Sequence, residues 1–154
     1  MRSEFRYKLS KFEKDLIEKI NNDINDGVYK CGFARDQTSY TKASNKLFQR
    51  LEQVENLLKN KGGKWIMGDH LTIADFYLFP TIIRWELIYK CLFKCSEKDL
   101  NEFSNIINWR LNFFKLKGVS ETCNDKEWLI DYYKALFPLN PSHIVPLQTS
   151  LSKI

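Results

Sequence analysis

The chain has 154 residues with a hydrophobic share of 44%. This is enough for one domain with a hydrophobic core that does not need disulfide bonds or a bound metal for stability. Its formal net charge of +5 is spread along the whole sequence without a block of like charges, which argues against a nucleic-acid-binding arm. No signal peptide and no apolar stretch of membrane-spanning length is evident, so we expect a cytoplasmic globular domain with neither nucleic acid nor membrane as a partner.

Five stretches repeat apolar residues at steps of three and four positions, the period of an amphipathic helix. The helices that this period predicts cover, in chain order, residues 4–24, residues 37–60, Thr72 onward, residues 100–114 and Asn124 to about Leu136. The first is expected to stop at Asn25-Asp26-Gly27 and to be followed by an irregular segment from Val28 to Arg35. A tail with three prolines, residues 137–146, can form neither a helix nor a central strand. We therefore predict an all-α helical bundle, one domain over residues 1–154, with an irregular Pro-containing C-terminal tail.

The third helix has a fully specified start in Leu71-Thr72-Ile73-Ala74-Asp75. Thr72 is suited to the N-cap, and Asp75 lies three residues on, where its carboxylate can reach back to the N–H of the cap. From Phe76 to Phe93 the sequence is apolar nearly all round, which predicts a buried helix at the centre of the bundle.

The sequence contains none of the motifs typical of hydrolases, phosphate-binding loops or zinc proteases. No metal site is expected, because the cysteines and the two histidines lack the paired spacing of zinc ligands. The cysteines are interpreted as small buried residues, and Cys31, near Lys30 and Arg35 in the predicted irregular segment, is the one candidate for a reactive thiol. The cysteines are Cys31, Cys91, Cys95 and Cys123.

Three tyrosines are the candidate substrate-binding residues: Tyr29, Tyr89 and Tyr132. A phenol is a neutral hydrogen-bond donor and acceptor on an aromatic body, so three phenols in one apolar pocket would suit an aromatic ligand with oxygen substituents. The alternative is ordinary packing, since the chain has seven tyrosines in all.

Several segments resemble the glutathionyl-hydroquinone reductases, the Xi-class glutathione transferases. The Leu-Thr-Ile-Ala-Asp segment alone is similar to the C-terminal helical domain of glutathione transferases in general. The segments typical of the Xi class are, in chain order, residues 25–34 (Asn-Asp-Gly-Val-Tyr-Lys-Cys-Gly-Phe-Ala), residues 93–95 (Phe-Lys-Cys), residues 118–122 (Gly-Val-Ser-Glu-Thr) and residues 140–147 (Asn-Pro-Ser-His-Ile-Val-Pro-Leu).

The resemblance implies an enzyme of two domains. A thioredoxin-like domain, expected to be absent from this chain, would bind glutathione as co-substrate and supply the nucleophilic cysteine, so we expect no catalytic residue here and no activity of this chain alone. The helical domain would hold an aromatic quinol-type substrate, and the family's pocket tyrosines fall on Tyr29, Tyr89 and Tyr132. Arg84 matches a family arginine and is interpreted as a structural residue at the domain interface. The resemblance also implies a thioredoxin-like partner domain, in cis or in trans, and a homodimer.

An alternative function remains open from the sequence. Helical domains of the transferase type also serve protein–protein association without catalysis. The two functions are distinguished by the tyrosines, because an association domain needs only the fold, whereas a substrate pocket needs the three phenols at one place.

Overall fold

The computed structural model describes residues 9–147. Six α-helices make up most of this part: α1 (Lys11–Ile20), α2 (Asp26–Gly32), α3 (Gln37–Asn60), α4 (Ile73–Ile83), α5 (Ser104–Phe114) and α6 (Asp125–Ala135). Two π-helical segments, Asn21–Asn25 and Trp85–Tyr89, and two 3₁₀ turns, Leu100–Glu102 and Ser120–Thr122, complete the helical structure. Between residues 9 and 147 no β-strand forms, so the all-α prediction is confirmed.

The longest helix, α3, packs against both α2 and α5. Its buried side chains recur at steps of three and four residues, as the sequence predicted, and its bounds agree with the predicted range. In the same bundle, α1 packs against α4, and α6 packs against the second π segment. Trp85 and Trp109 are the largest side chains that are completely buried in the core between these helices.

The start of α4 is held by the carboxylate of Asp75, which is completely buried. One carboxylate oxygen accepts hydrogen bonds from the N–H of Thr72 at 2.8 Å and from its hydroxyl at 3.0 Å. The other accepts from the backbone N–H of Ile66 at 2.9 Å and from Nε1 of Trp109 at 2.8 Å. The capping interaction predicted for Thr72 and Asp75 is present, and the same carboxylate also connects α4 to the preceding loop and to α5.

The predicted end of the first helix at residues 25–27 is wrong, and the irregular segment predicted from Val28 to Arg35 is wrong for residues 28–32, which are helical, and correct for residues 33–35. The chain stays helical from α1 through the first π segment into α2. The physical reason lies in Asn25, whose side chain does not cap its own backbone. Its amide nitrogen donates to the carbonyl of Tyr77 at 3.0 Å, and its amide oxygen accepts from the hydroxyl of Thr81 at 2.6 Å. Two bonds to α4 therefore make this polar residue compatible with a helix interior.

Three smaller predictions also need correction. The first helix begins at Lys11 behind the N-cap Ser10, so residues 9–10 are not helical, and predicted helix residues 4–8 lie outside the described residues. The fourth predicted helix is split, because Phe103 leaves helical geometry between the 3₁₀ turn and α5. The third helix is predicted to be buried from Phe76 to Phe93, but Phe76 and Tyr77 are 55% and 45% exposed, and Pro80 and Cys91 are exposed as well. The side chains of Phe76 and Tyr77 face solvent near the start of α4.

The last helix begins as predicted, since the side chain of Asn124 accepts from the N–H of Glu127 at 3.2 Å. The chain after α6 contains turns and neither helix nor strand between residues 137 and 147. One hydrogen bond from Asn140 to the carbonyl of Tyr133, at 2.6 Å, holds the beginning of this tail against α6.

Candidate functional site

Three elements that are distant in sequence bring Tyr29, Tyr89 and Tyr132 together. Tyr29 lies on α2, Tyr89 ends the second π segment and Tyr132 lies on α6. The hydroxyl oxygen of Tyr132 is 3.0 Å from that of Tyr29 and 3.1 Å from that of Tyr89. The three phenols therefore form one chain of hydrogen bonds with Tyr132 at its centre.

Phe93 lies beneath the three phenol rings and contacts each of them edge to face. Its ring centroid is 5.1 Å from that of Tyr29, 5.2 Å from that of Tyr89 and 6.1 Å from that of Tyr132. Edge-to-face packing is a favoured geometry for aromatic pairs and restrains the rings that take part in it. We refer to these four residues as the tyrosine cluster.

A glycine allows α2 to approach this cluster. A Cβ atom placed on Gly32 would lie 2.4 Å from Cδ1 of Phe93. Two carbon atoms that are not bonded to each other cannot approach so closely, so any side chain at this position would clash with the ring. Because Phe93 is completely buried, its ring has little space into which it could move. Gly32 is thus required by close packing against the floor of the cluster.

The second π segment sets the position of Tyr89. The N–H of Lys90 bonds to the carbonyl of Trp85 at 2.9 Å, five residues back, which is the hydrogen-bond pattern of a π turn. The carbonyl of Tyr89 then accepts from the N–H of Cys95 at 3.0 Å. These bonds fix the backbone on both sides of Tyr89.

Burial within the cluster is graded. Tyr89 is 3% exposed, Tyr132 is half-buried and Tyr29 is 39% exposed, so the hydrogen-bond chain leads from the core to the surface. Burial, followed by the hydrogen bond to Tyr132, raises the pKa of Tyr89 and that of Tyr29. Both phenols are therefore neutral at physiological pH and keep their protons for hydrogen bonding.

A count of protons shows what the cluster can offer a ligand. Three phenols carry three hydroxyl protons, and the two hydrogen bonds within the cluster use two of them. One hydroxyl proton therefore remains free to donate outside the cluster, and the phenol oxygens keep lone pairs that accept. The arrangement suits a ligand whose own oxygens both donate and accept.

Arg84 joins the elements that carry two of the tyrosines. Its guanidinium carbon lies 4.3 Å from the ring centroid of Trp128, and its Nη1 donates to the carbonyl of Pro80 at 2.7 Å. Trp128 lies one turn before Tyr132 on α6, and Arg84 directly precedes the segment that ends at Tyr89. The cation–π contact thus clamps α6 to that segment. Nothing in the sequence pattern indicated this contact.

The cysteines do not all match their interpretation. Cys31 lies in α2 and is buried, so the loop position predicted for it is wrong. Cys95 is also buried, whereas Cys91 is exposed and Cys123 is half-buried, and all four are free thiols. Between residues 9 and 147 no group of three or more His, Cys, Asp or Glu side chains is placed to hold a metal ion. Among the helices described, none is both long and apolar enough to cross a membrane.

Comparison with known sequences assigns the fold. Residues 37–111 match the family model of the glutathione S-transferase C-terminal domain. The glutathionyl-hydroquinone reductase PcpF of Sphingobium chlorophenolicum is 34% identical over 145 residues, which cover 94% of this chain and 44% of that protein. The glutathionyl-hydroquinone reductase YqjG of Escherichia coli K12 is 30% identical over 128 residues, which cover 83% of this chain and 38% of that protein. These matches identify the fold of the chain as that of the C-terminal helical domain of glutathione S-transferases.

Solved structures narrow the resemblance to one class. Glutathione transferase Xi 1 from Trametes versicolor matches with a TM-score of 0.83 at 32% identity, over 90% of this chain and 47% of that one. The glutathione-bound structure of YqjG matches with a TM-score of 0.84 at 28% identity, over 89% of this chain and 44% of that one. The similarity to Xi-class transferases and glutathionyl-hydroquinone reductases is thus confirmed. The chain spans less than half the length of the curated relatives named above.

Proposed function

We propose that this domain forms the aromatic-substrate pocket of a glutathione-dependent reductase that acts on glutathionyl-hydroquinones. The observation that carries the proposal is the convergence of three phenol hydroxyls, 3.0 and 3.1 Å apart, at the end of an apolar aromatic floor. The proposal includes a thioredoxin-like domain, in cis or in trans, as the source of the glutathione site and of the nucleophilic cysteine. It also includes assembly as a homodimer.

The reaction would proceed by thiol chemistry supplied from the partner domain. A cysteine thiolate there attacks the sulfur of the glutathionyl-hydroquinone, a cysteine–glutathione disulfide forms and the carbon–sulfur bond breaks. The electron pair of that bond goes to the ring carbon, which takes up a proton to give the free hydroquinone. A second glutathione then reduces the mixed disulfide, so that one glutathionyl-hydroquinone and one glutathione become hydroquinone and glutathione disulfide.

The tyrosine cluster would hold the quinol oxygens and stabilise the charge that develops on them as the carbon–sulfur bond breaks. Its free hydroxyl proton would donate to one quinol oxygen, and its lone pairs would accept from a quinol hydroxyl. Because the phenols are held by one another and by Phe93, their orientation is set before the ligand arrives. Donors fixed in this way stabilise developing charge better than mobile water does.

The substitution Tyr132→Phe tests the binding half of this proposal, because it removes the central hydroxyl and both hydrogen bonds of the cluster. We expect calorimetric titration of the chain with 1,4-hydroquinone to show binding weakened at least about tenfold, since a lost hydrogen bond in a partly buried site costs about 1–2 kcal/mol. Tyr77→Phe is the matched control, because Tyr77 is exposed on α4 and its hydroxyl is outside the cluster.

Two results of this titration would contradict the proposal. Equal affinity of the wild type and Tyr132→Phe, or no saturable binding by the folded wild-type chain, would remove the substrate-pocket role. The catalytic half is tested by a glutathione-reductase-coupled assay with a glutathionyl-hydroquinone, run on this chain and on any longer product of the same reading frame. Turnover by the longer product that Tyr132→Phe lowers by about a hundredfold, as expected for loss of one charge-stabilising donor, would support the mechanism.

One observation favours the alternative, a domain for protein association. Ile73, Phe76 and Tyr77 expose apolar surface side by side at the start of α4, where 37%, 55% and 45% of each residue is accessible. Such a patch is typical of a contact surface. It also suits contact with a thioredoxin-like domain, so the hydroquinone titration, and not the patch, distinguishes the two functions.

A further inference from the structure

Two buried thiols lie beside the tyrosine cluster and take no part in it. Cys31 is in the last turn of α2 and is 1% exposed, and Cys95 follows the second π segment and is completely buried. The sulfur of Cys95 is 3.9 Å from the carbonyl oxygen of Val28, which is one turn before Cys31 on the same side of α2. The Cys95 thiol therefore lies against the helix face that carries Cys31.

The close approach of the neighbouring residues supports this placement. Gly32, next to Cys31, is in such tight contact with Phe93, two residues before Cys95, that no Cβ fits between them. The two thiols also perturb each other directly. Hydrogen bonding from the Cys95 thiol lowers the pKa of Cys31, and the same interaction, followed by burial, raises the pKa of Cys95. Cys31 is thus the member of the pair that can become a thiolate, with Cys95 as the proton donor beside it.

We propose that Cys31 and Cys95 are a redox-active pair, which a hydroperoxide converts into an intramolecular disulfide. The Cys31 thiolate attacks one oxygen of hydrogen peroxide, the O–O bond breaks, and a sulfenic acid and hydroxide form; the hydroxide takes up the proton that Cys31 released on ionising and becomes the first water. The sulfur of Cys95 then attacks the sulfur of Cys31, the S–O bond breaks, and the leaving hydroxide takes the Cys95 proton as a second water. Two thiols are oxidised to one disulfide while one peroxide is reduced to two waters.

Oxidation of the pair requires local opening, and the disulfide has a structural consequence. Cys31 is 1% exposed in the last turn of α2, a helix of seven residues, so the oxidant reaches it when that turn frays. Once formed, the disulfide links the last turn of α2 to the segment that carries Phe93. It therefore fixes Tyr29 relative to the floor of the tyrosine cluster.

The variant C91S/C123S tests the proposal, because it removes the exposed and the half-buried thiol and leaves only the buried pair. The folded variant is treated with hydrogen peroxide, quenched and unfolded, and its thiols are counted with a thiol-specific chromophore. We expect both thiols to be lost, a monomer lighter by two hydrogen atoms, a linked Cys31–Cys95 peptide on mass mapping, and full recovery with dithiothreitol.

Two further arms make the outcome decisive. Peptide mapping of the oxidised wild-type chain is expected to yield the same linkage, in preference to one between Cys91 and Cys95. Adding C31S to the double variant is expected to leave Cys95 reduced at least about ten times longer, since a completely buried thiol without its partner is poorly reactive. Persistence of both thiols in the folded double variant, a linkage only between two chains, or sulfinic acid without a disulfide would each overturn the proposal. These three results are obtained with chains that keep Cys31, so they do not depend on whether the C31S variant folds.

Discussion

The carboxylate of Asp75 provides the sharpest test of how this domain is held together. It is completely buried, and three N–H groups depend on it, those of Ile66, Thr72 and the indole of Trp109. A buried donor left without a partner costs about 1–3 kcal/mol, so Asp75→Ala should lower the free energy of unfolding by about 4 kcal/mol after partial relaxation. Asp75→Asn keeps one acceptor oxygen but turns an amide N–H₂ towards the remaining donors, so its expected cost is about 2 kcal/mol.

The assay is urea denaturation, followed by circular dichroism for the helices and by tryptophan fluorescence for the surroundings of Trp109. Asp69→Asn is the matched control, because Asp69 is an exposed aspartate in the loop before α4. A difference of less than about 0.5 kcal/mol between Asp75→Asn and Asp69→Asn, the range of an ordinary surface substitution, would refute the reasoning.

Two further predictions concern stability. Gly32→Ala places a Cβ 2.4 Å from Phe93 and should cost about 1–3 kcal/mol in urea denaturation, whereas Gly27→Ala, whose Cβ would meet nothing closer than 3.5 Å, should be neutral or stabilising. Burial raises the pKa of Asp23, but paired cations led by Arg50 outweigh this and leave it below its usual value. Asp23 therefore contributes stability above its unfolded pKa and loses it as pH falls through the folded value, so Asp23→Asn should flatten the decline in Tm below about pH 5; an unchanged acid profile would contradict this.

Local signals in the sequence predicted local structure well. Thr72 and Asp75 are three residues apart, so their pairing follows from the geometry of one helix turn, and α3 follows from its own period of buried residues. Asn25 shows where this approach fails. Asn-Asp-Gly usually ends a helix, but here the bonds of Asn25 to α4 depend on a packing that no local pattern contains.

The candidate site was harder to predict from the residues alone than the helices were. Tyr29, Tyr89 and Tyr132 were selected as polar aromatic residues, yet only the resemblance to the Xi class supplied a reason for them to meet. Phe93 was part of a motif, but its place beneath the three rings depends on the approach of α2. The contact between Arg84, directly after α4, and Trp128 of α6 joins two elements that are far apart in the sequence, and periodicity within one helix cannot reveal such a pair.

The first π segment, Asn21–Asn25, holds one residue more than an α-helical turn does, and this determines how Tyr29 responds to a change in chain length. Deleting one position between Ile20 and Asp26 would tighten this wide turn to regular α-helical winding and leave Tyr29 on the same side of the helix axis, facing Tyr132. A second deletion would have no wide turn to absorb it and would rotate Tyr29 around the axis by about 100°. Asn21 and Asn22 are exposed, so their side chains are open to exchange. This stretch should therefore accept many replacements over time and the loss of one residue, but not the loss of two.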